Sequence, residues 1–309
     1  MSTLHPRIKR LRWQVGGVIV LLLSLPFALI PRSIAFSLGS FLGKLAFRLL
    51  PRTRRTTVRN IENSLFYLRQ QPGWQEQGSA EEIARQTFAN LGRTFMEVLK
   101  LYYGLGKTLL HGVEISGLEH FYSAHAKGKG IIFITGHCGN WELMALSFGL
   151  RYGGVSVVAR RQEDTRFNAF LEKLRLNYGN RVIYADGAAR RILFHLRQEG
   201  NIGILMDKAM LPTEGIQADF LGRAAWTTPM PAILAEKTGA PLHTIFMHRT
   251  ATGHVIEISP EIPLIRAADG SCDQQAVTAR LNELISQEIA RHPTEWLWMY
   301  RRWKRAAEA

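Results

Sequence analysis

A chain of 309 residues has room for one large α/β domain with an appendage or for two small domains, and 46% hydrophobic residues, with 7 Trp, 15 Phe and 8 Tyr, exclude disorder as its main state. The two cysteines, Cys138 and Cys272, are too few for a disulfide framework and are not spaced as zinc ligands. The default is therefore a reducing, cytosol-facing compartment, with no metal chemistry expected. A net charge of +14 calls for an anionic partner: nucleic acid, phospholipid headgroups or an acidic protein.

The placement of that charge favours a membrane. Residues 1–60 carry Arg7, Lys9, Arg10, Arg12, Arg32, Lys44, Arg48, Arg52, Arg54, Arg55 and Arg59 without one Asp or Glu. Between the basic clusters runs Gln14–Ile30, almost wholly apolar, which as a helix spans roughly 25 Å against a hydrocarbon core of about 30 Å. A core helix has no use for cations at both ends, and a signal peptide would show a clear A-x-A site. Trp13 and the flanking Arg and Lys suit a membrane-inserted helix. After Pro31, Ser33–Leu50 spaces Phe36, Leu38, Phe41, Leu42, Leu45, Phe47 and Leu49 among Lys44 and Arg48, as a helix in the headgroup layer would, or one packed on the body of the protein. The expectation is an N-terminal membrane anchor and interfacial helix over residues 1–50, with the rest on the cytoplasmic side.

Residues 51–110 read as a helical layer. Ser79 with Glu82 forms a capping box, Phe88, Leu91, Phe95, Val98 and Leu99 follow at helical spacing, and Gly104 ends the run. Residues 111–309 read as an α/β core. Strands are predicted at Val113–Ile115, Ile131–Thr135, Val155–Ala159, Arg181–Tyr184, Ile202–Met206, Ile216–Phe220, Leu242–Met247 and Val255–Ser259. Helices are predicted between most of them, at Trp141–Leu150, Thr165–Tyr178, Ala188–Arg197 and Pro229–Thr238, with Thr228 as the N-cap of the last, and a final one at Asp273–Arg291. Such alternation implies a mixed, mostly parallel sheet with helices on both faces.

In sheets of this kind ligands bind beyond the carboxyl ends of the strands. That rule selects His137, Arg160 and Asp207, each following an apolar run (IIFITGH, VSVVAR, IGILMD). Within GHCGNWEL, His137 and Glu142 are five apart, a spacing that pairs them in neither a regular helix nor a strand. They meet only across a turn, which Gly136 and Gly139 permit and Asn140 closes by capping a helix from Trp141. Glu142 against one ring nitrogen would fix the tautomer of His137 and let the other nitrogen take a proton from a hydroxyl. Cys138 has a side chain diverging from its neighbour's, and no G-x-S-x-G, Walker or G-x-G-x-x-G signature is present, so acyl-enzyme and nucleotide chemistry are not supported.

With GHCGNWEL, RNIENSLF at Arg59–Phe66, the run YGNRVI, GAARRIL and IGILMD, and the tail EWLWMYRRWK, the chain resembles the bacterial lipid A biosynthesis acyltransferases of the lauroyl and myristoyl type over nearly its whole length. The H-x-x-x-x-E element alone resembles the wider glycerolipid acyltransferase superfamily, usually H-x-x-x-x-D. The resemblance implies a glycerolipid-acyltransferase-like fold at the inner membrane, and transfer of a fatty acyl chain from acyl carrier protein to a hydroxyl of a phosphorylated lipid A precursor. It implies no cofactor and no metal. The family's functional residues fall on His137 and Glu142 as catalytic, and on Arg160, Arg175 and Asp207 as substrate-binding, with Asn140 beside them. The chain departs from the family where Lys208 follows Asp207 and where Ala159-Arg160-Arg161 replaces Y-R-P. Arg190, Arg191, Arg301, Arg302, Lys304 and Arg305 read as a basic surface for membrane or acyl carrier protein. A lysophospholipid, another glycolipid or an aminolipid is the alternative acceptor, and a membrane-associated lipid carrier is the non-enzymatic alternative.

Overall fold

The computed structural model describes residues 24–159, 165–184 and 187–306. In chain order the elements are α1 (Arg32–Leu49), α2 (Pro51–Leu68), α3 (Ala80–Tyr102), α4 (Lys107–His111), β1 (Val113–Ser116), α5 (Leu118–His125), β2 (Ile131–Thr135), α6 (Trp141–Tyr152), β3 (Val155–Ala159), α7 (Thr165–Leu176), β4 (Arg181–Tyr184), α8 (Ala188–Arg197), β5 (Asn201–Leu205), β6 (Ile216–Phe220), β7 (Arg223–Thr227), α9 (Met230–Thr238), β8 (Leu242–Arg249), β9 (His254–Ile258) and α10 (Gln274–Arg291). Several boundaries follow directly from side-chain chemistry. Ser79 Oγ accepts from Glu82 N at 3.2 Å to start α3, and Asp273 Oδ1 accepts from Ala276 N at 2.9 Å to start α10. The N-cap of α9 is Pro229 rather than Thr228, whose hydroxyl instead accepts from Met230 N.

Seven strands form one sheet in the order β1-β9-β8-β2-β5-β3-β4, and every neighbouring pair is parallel except β8 with β9. The expected mostly parallel sheet flanked by helices is thus what the chain forms. The Ile216–Phe220 segment is a correction to its predicted place in that sheet. It pairs antiparallel with β7, a strand absent from the sequence reading, as a separate hairpin. Its two-residue turn, Leu221-Gly222, has positive φ at both positions (54° and 76°), the backbone that a tight hairpin requires. Alternation along the central strands sends Phe133, Val157 and Ile245 to one face, against Leu143, Met144 and Phe148 of α6. Ile132, Ile134, Ile202, Ile204 and Phe246 go to the other, against Ile192 of α8, Leu234 of α9 and Ile285 of α10.

The helical layer lies beside this sheet, and α1 is part of it. Ala35, Gly39, Ser40, Gly43 and Phe47 are the buried stripe of α1, and the glycines let its backbone touch α3 directly. A Cβ on Gly43 would stand 2.0 Å from Phe88 O, and one on Gly39 2.7 Å from Gly92 O. The packing on the body of the protein expected as one reading of this segment is thus what its buried stripe does, while the opposite face leaves Ile34, Phe41, Leu42, Leu45 and Leu49 exposed. Upstream, residues 24–29 are helical, and Lys100 of α3 donates to the carbonyls of Ala28 (2.7 Å) and Ile30. Most of the predicted anchor Gln14–Ile30 lies outside the described residues. Among those described, no single helix is long and apolar enough to cross a membrane; only α1 and α2 together reach that length, and they are bent by 96°.

The close approach of α1 makes a sharp prediction. Gly43→Ala puts a methyl group against a backbone oxygen that cannot move without displacing α3, and should lower the unfolding free energy by about 1–3 kcal/mol, read from the urea midpoint.

Candidate active site

The site begins with register. β2 and β5 are adjacent and parallel, with Thr135 paired to Leu205, and the chain passes two residues further in each case before placing His137 and Asp207. Equal offsets from a paired end set the two side by side at the carboxyl edge of the sheet. From β2 the connections run outward to β3 on one side, and from β5 they return to β8 on the other, so this edge is a topological switch point.

His137 Nδ1 donates to Asp207 Oδ1 at 2.8 Å, and His137 N donates to Asp207 Oδ2 at 2.7 Å. Trp296 Nε1 donates to that same Oδ2 at 2.8 Å. Asp207 is 2% exposed. Burial alone would raise its pKa, but the facing His137, both hydrogen bonds from that residue and the indole together bring it down to about 2. A carboxylate anchored in this way holds the imidazole with its proton on Nδ1 and leaves Nε2 with its lone pair. The ring stands edge-on to Trp141, centroids 5.0 Å apart.

The carboxylate on His137 is therefore not that of Glu142, and this is the main correction to the sequence reading. The turn does form as expected: Gly139 adopts φ 57°, and Asn140 Oδ1 caps α6 by accepting from Leu143 N at 3.0 Å. Glu142 then points in another direction, toward α7. Its Oε2 and Oε1 accept from Arg175 Nε (3.0 Å) and a terminal nitrogen (2.5 Å), a two-pronged ion pair with both side chains at least nine-tenths buried. Burial works against the charge on Arg175, but the Glu142 carboxylate outweighs it and holds the guanidinium pKa above its ordinary value.

Asn140 also takes a different job from the substrate contact expected of it. It is fully buried, and its Nδ2 donates to Glu97 Oε2 at 2.9 Å. Glu97 also accepts from both terminal nitrogens of Arg249, at 2.6 and 3.0 Å. Desolvation by burial opposes its charge, yet His254 and Arg249 drive its pKa well below the ordinary carboxylate value. This network ties α3 and β8 to the first turn of α6. Arg160 lies outside the described residues. Of the basic tail, Arg302 is fully buried and donates to Trp226 O at 2.6 Å and to Thr227 Oγ1, so it anchors the tail to β7 rather than serving as free surface. Arg190, Arg191, Arg301 and Lys304 are exposed. Cys138 is buried, and burial together with Glu288, Asp207 and Glu295 pushes its thiol pKa well above normal, the opposite of an activated nucleophile.

Trp296 was missed as a contributor to the site. It belongs to a segment that straps the turn carrying His137 from behind: Gly139 N donates to Glu295 O at 2.9 Å and Leu297 N to His137 O at 3.1 Å. A contact between residues 89 apart leaves no local pattern; the only signal was the tryptophan-rich tail itself. Beside the site, an apolar cavity of about 40 Å³ lies between the sheet (Phe133, Val155, Val157, Gly203, Leu205, Ile245) and α6 (Met144, Ala145, Phe148), with Glu142 and Arg175 in its wall.

The structure thus places an imidazole oriented by a buried carboxylate next to an apolar cavity at a switch point, an arrangement that can chemically serve proton transfer. The model for the bacterial lipid A biosynthesis acyltransferase family matches residues 2–305. The chain belongs to that family and is an acyl-transferring enzyme, which removes the lipid-carrier alternative. It is 25% identical to a lipid A biosynthesis lauroyltransferase of Escherichia coli K12, over 99% of this chain and 95% of the relative. It is 24% identical to a lipid A biosynthesis palmitoleoyltransferase of the same strain, over 97% and 93%. It is also 26% identical to a phosphatidylinositol mannoside acyltransferase of Mycolicibacterium smegmatis, over 72% of this chain and 73% of the relative. The family implies a lipid acceptor.

Two measurements check this geometry. Glu142→Ala strands a buried guanidinium and should cost about 3–5 kcal/mol in urea unfolding, while Glu142→Ala with Arg175→Met, which removes both charges, should recover much of it. Asp207 has a folded pKa below its ordinary 3.8, so its stabilisation is complete above that value and is lost as pH falls through about 2. That contribution, about 2 kcal/mol, should vanish from the acid-unfolding curve of Asp207→Asn.

Proposed function

We propose that this enzyme moves a fatty acyl chain from acyl carrier protein to a hydroxyl of a lipid A precursor, with His137 as general base and Asp207 as the residue that orients it. The observation carrying the reading is the 2.8 Å contact of His137 Nδ1 with a buried carboxylate at the carboxyl ends of two adjacent parallel strands. His137 Nε2 takes the proton of the acceptor hydroxyl as its oxygen bonds to the thioester carbon. The tetrahedral intermediate then breaks its C–S bond, and the proton passes from His137 to the departing thiolate. No covalent enzyme intermediate is formed, and no step is routed through a metal or cofactor. Glu142 acts through Arg175, fixing a cation at the rim of the apolar cavity, where the guanidinium faces the polar end of a bound substrate. Arg160 supplies a further cation for the acceptor phosphate. The cavity takes the start of the acyl chain, and Met144 and Phe148 must shift to admit the rest.

The exposed apolar face of α1, flanked by Arg32, Lys44 and Arg48, supports residence at the cytoplasmic side of the inner membrane, with residues 1–50 as the attachment unit and 51–309 as the transferase unit. Exposed Arg190, Arg191 and Arg197 on α8 offer a basic surface to an acidic carrier protein. A second acceptor class, a mannosylated or lyso-phospholipid, is favoured by one specific observation: the phosphatidylinositol mannoside acyltransferases are as similar in sequence as the lipid A enzymes.

Incubating the purified enzyme with acyl-loaded carrier protein and each acceptor class, with products read by mass spectrometry, separates these readings. Acylation of the lipid A precursor alone is expected. His137→Ala and Asp207→Asn should each lower kcat by about 10²–10⁴-fold with little change in membrane association. Near-normal turnover by both variants would remove the mechanism, and exclusive acylation of the phospholipid would replace the acceptor.

A further inference from the structure

On another part of the molecule, β8, β9 and the end of α10 gather side chains that the transfer reaction does not use. Glu288 lies in the last turn of α10 and His292 follows four residues later at its C-cap, so helical spacing puts both on one face. His248 reaches the same place from β8, its ring stacked on that of His292 with centroids 4.2 Å apart and planes 10° from parallel. One donor atom from each of His248, Glu288 and His292 lies within 4.8 Å of the other two.

The cluster is short of positive partners. Glu288 is 1% exposed; its Oε2 lies 2.6 Å from the Arg291 guanidinium, while its Oε1 and His248 Nδ1 meet no hydrogen-bond partner among the described residues. Glu257 of β9 stands 3.9 Å from His248 Nδ1 and shares Arg291 with Glu288, at 3.4 Å. One exposed guanidinium thus serves two carboxylates, leaving a buried carboxylate oxygen beside two imidazoles. A buried acceptor left in this condition is costly, and a cation would satisfy it.

We propose that His248, Glu288 and His292 form a divalent-cation site of the imidazole-carboxylate kind that takes Zn²⁺. Donors about 2.0–2.1 Å from a tetrahedral ion lie about 3.4 Å from one another, so the three close in by about 1.4 Å at most and the stacked rings splay until their lone pairs converge. Water or Glu257 completes the shell, and the partial exposure of both histidines gives the ion a way in. The ion joins β8 to the segment leaving α10. Three residues on, that segment carries the Glu295–Leu297 strap behind the turn carrying His137. Its role is thus to stiffen the support of the site and not to enter the chemistry.

The test uses the full-length protein stripped with a chelator and titrated with zinc chloride, followed by calorimetry and by thermal melting. One ion per chain and a raised Tm are expected. His292→Ala and, separately, the near-isosteric Glu288→Gln should each weaken binding by more than the roughly tenfold that loss of an outer-shell partner costs, while His195→Ala, outside the cluster, retains it. Absence of stoichiometric binding by the wild-type chain, or binding unchanged in both cluster variants, overturns the proposal.

Discussion

The site depends on one buried carboxylate. Asp207 gathers three donors, the ring and backbone nitrogens of His137 and the indole of Trp296, so that acceptor and donors bring together three different stretches of chain. The stretches are the turn after β2, the turn after β5 and the strap after α10. The parallel register of β2 on β5 brings the first two together, and burial of the tryptophan-rich tail brings the third. Hydrogen bonds to a charged group inside a low-dielectric core are worth more than their exposed counterparts, so loosening any of the three stretches is felt at the imidazole. The same carboxylate therefore stabilises the fold and orients the imidazole.

The two acids near the sheet edge divide the work. Asp207 serves the histidine, whereas Glu142 neutralises Arg175 and fixes it in the wall of the apolar cavity. The division follows from direction: the Glu142 carboxylate faces Arg175 on α7, whereas that of Asp207 faces His137. Behind them Glu97, itself held by Arg249, grips the cap of α6 through Asn140, so the helix bearing Glu142 is fixed from its first residue. Support thus reaches the site from the helical layer as well as from the sheet.

How much of this was legible in the sequence varies with the range of the interaction. Periodicity and capping located the central strands, the start of α3 from Ser79 and the start of α6 from Asn140, because those signals are local. The rule that ligands bind at strand ends found both His137 and Asp207. It could not pair them, because their contact depends on β2 lying beside β5, which no local pattern encodes. The nearer acid, Glu142, was the natural partner on spacing alone; its direction was decided by Arg175, 33 residues away and buried. Arg302 misled for a similar reason: in a basic run it reads as surface, and only the fold reveals the Trp226 carbonyl and Thr227 hydroxyl that it fills. The hairpin strand β7 was missed since Arg223–Thr227 is short and mixed in polarity.

The most direct test is the tautomer of His137, read from imidazole ¹⁵N chemical shifts at neutral pH in the wild-type chain and in two variants. The account predicts a proton on Nδ1 and a free Nε2 in the wild type, retention of that state in Glu142→Gln and its loss in Asp207→Asn. The reverse pattern, with the tautomer indifferent to Asp207 and sensitive to Glu142, would contradict it.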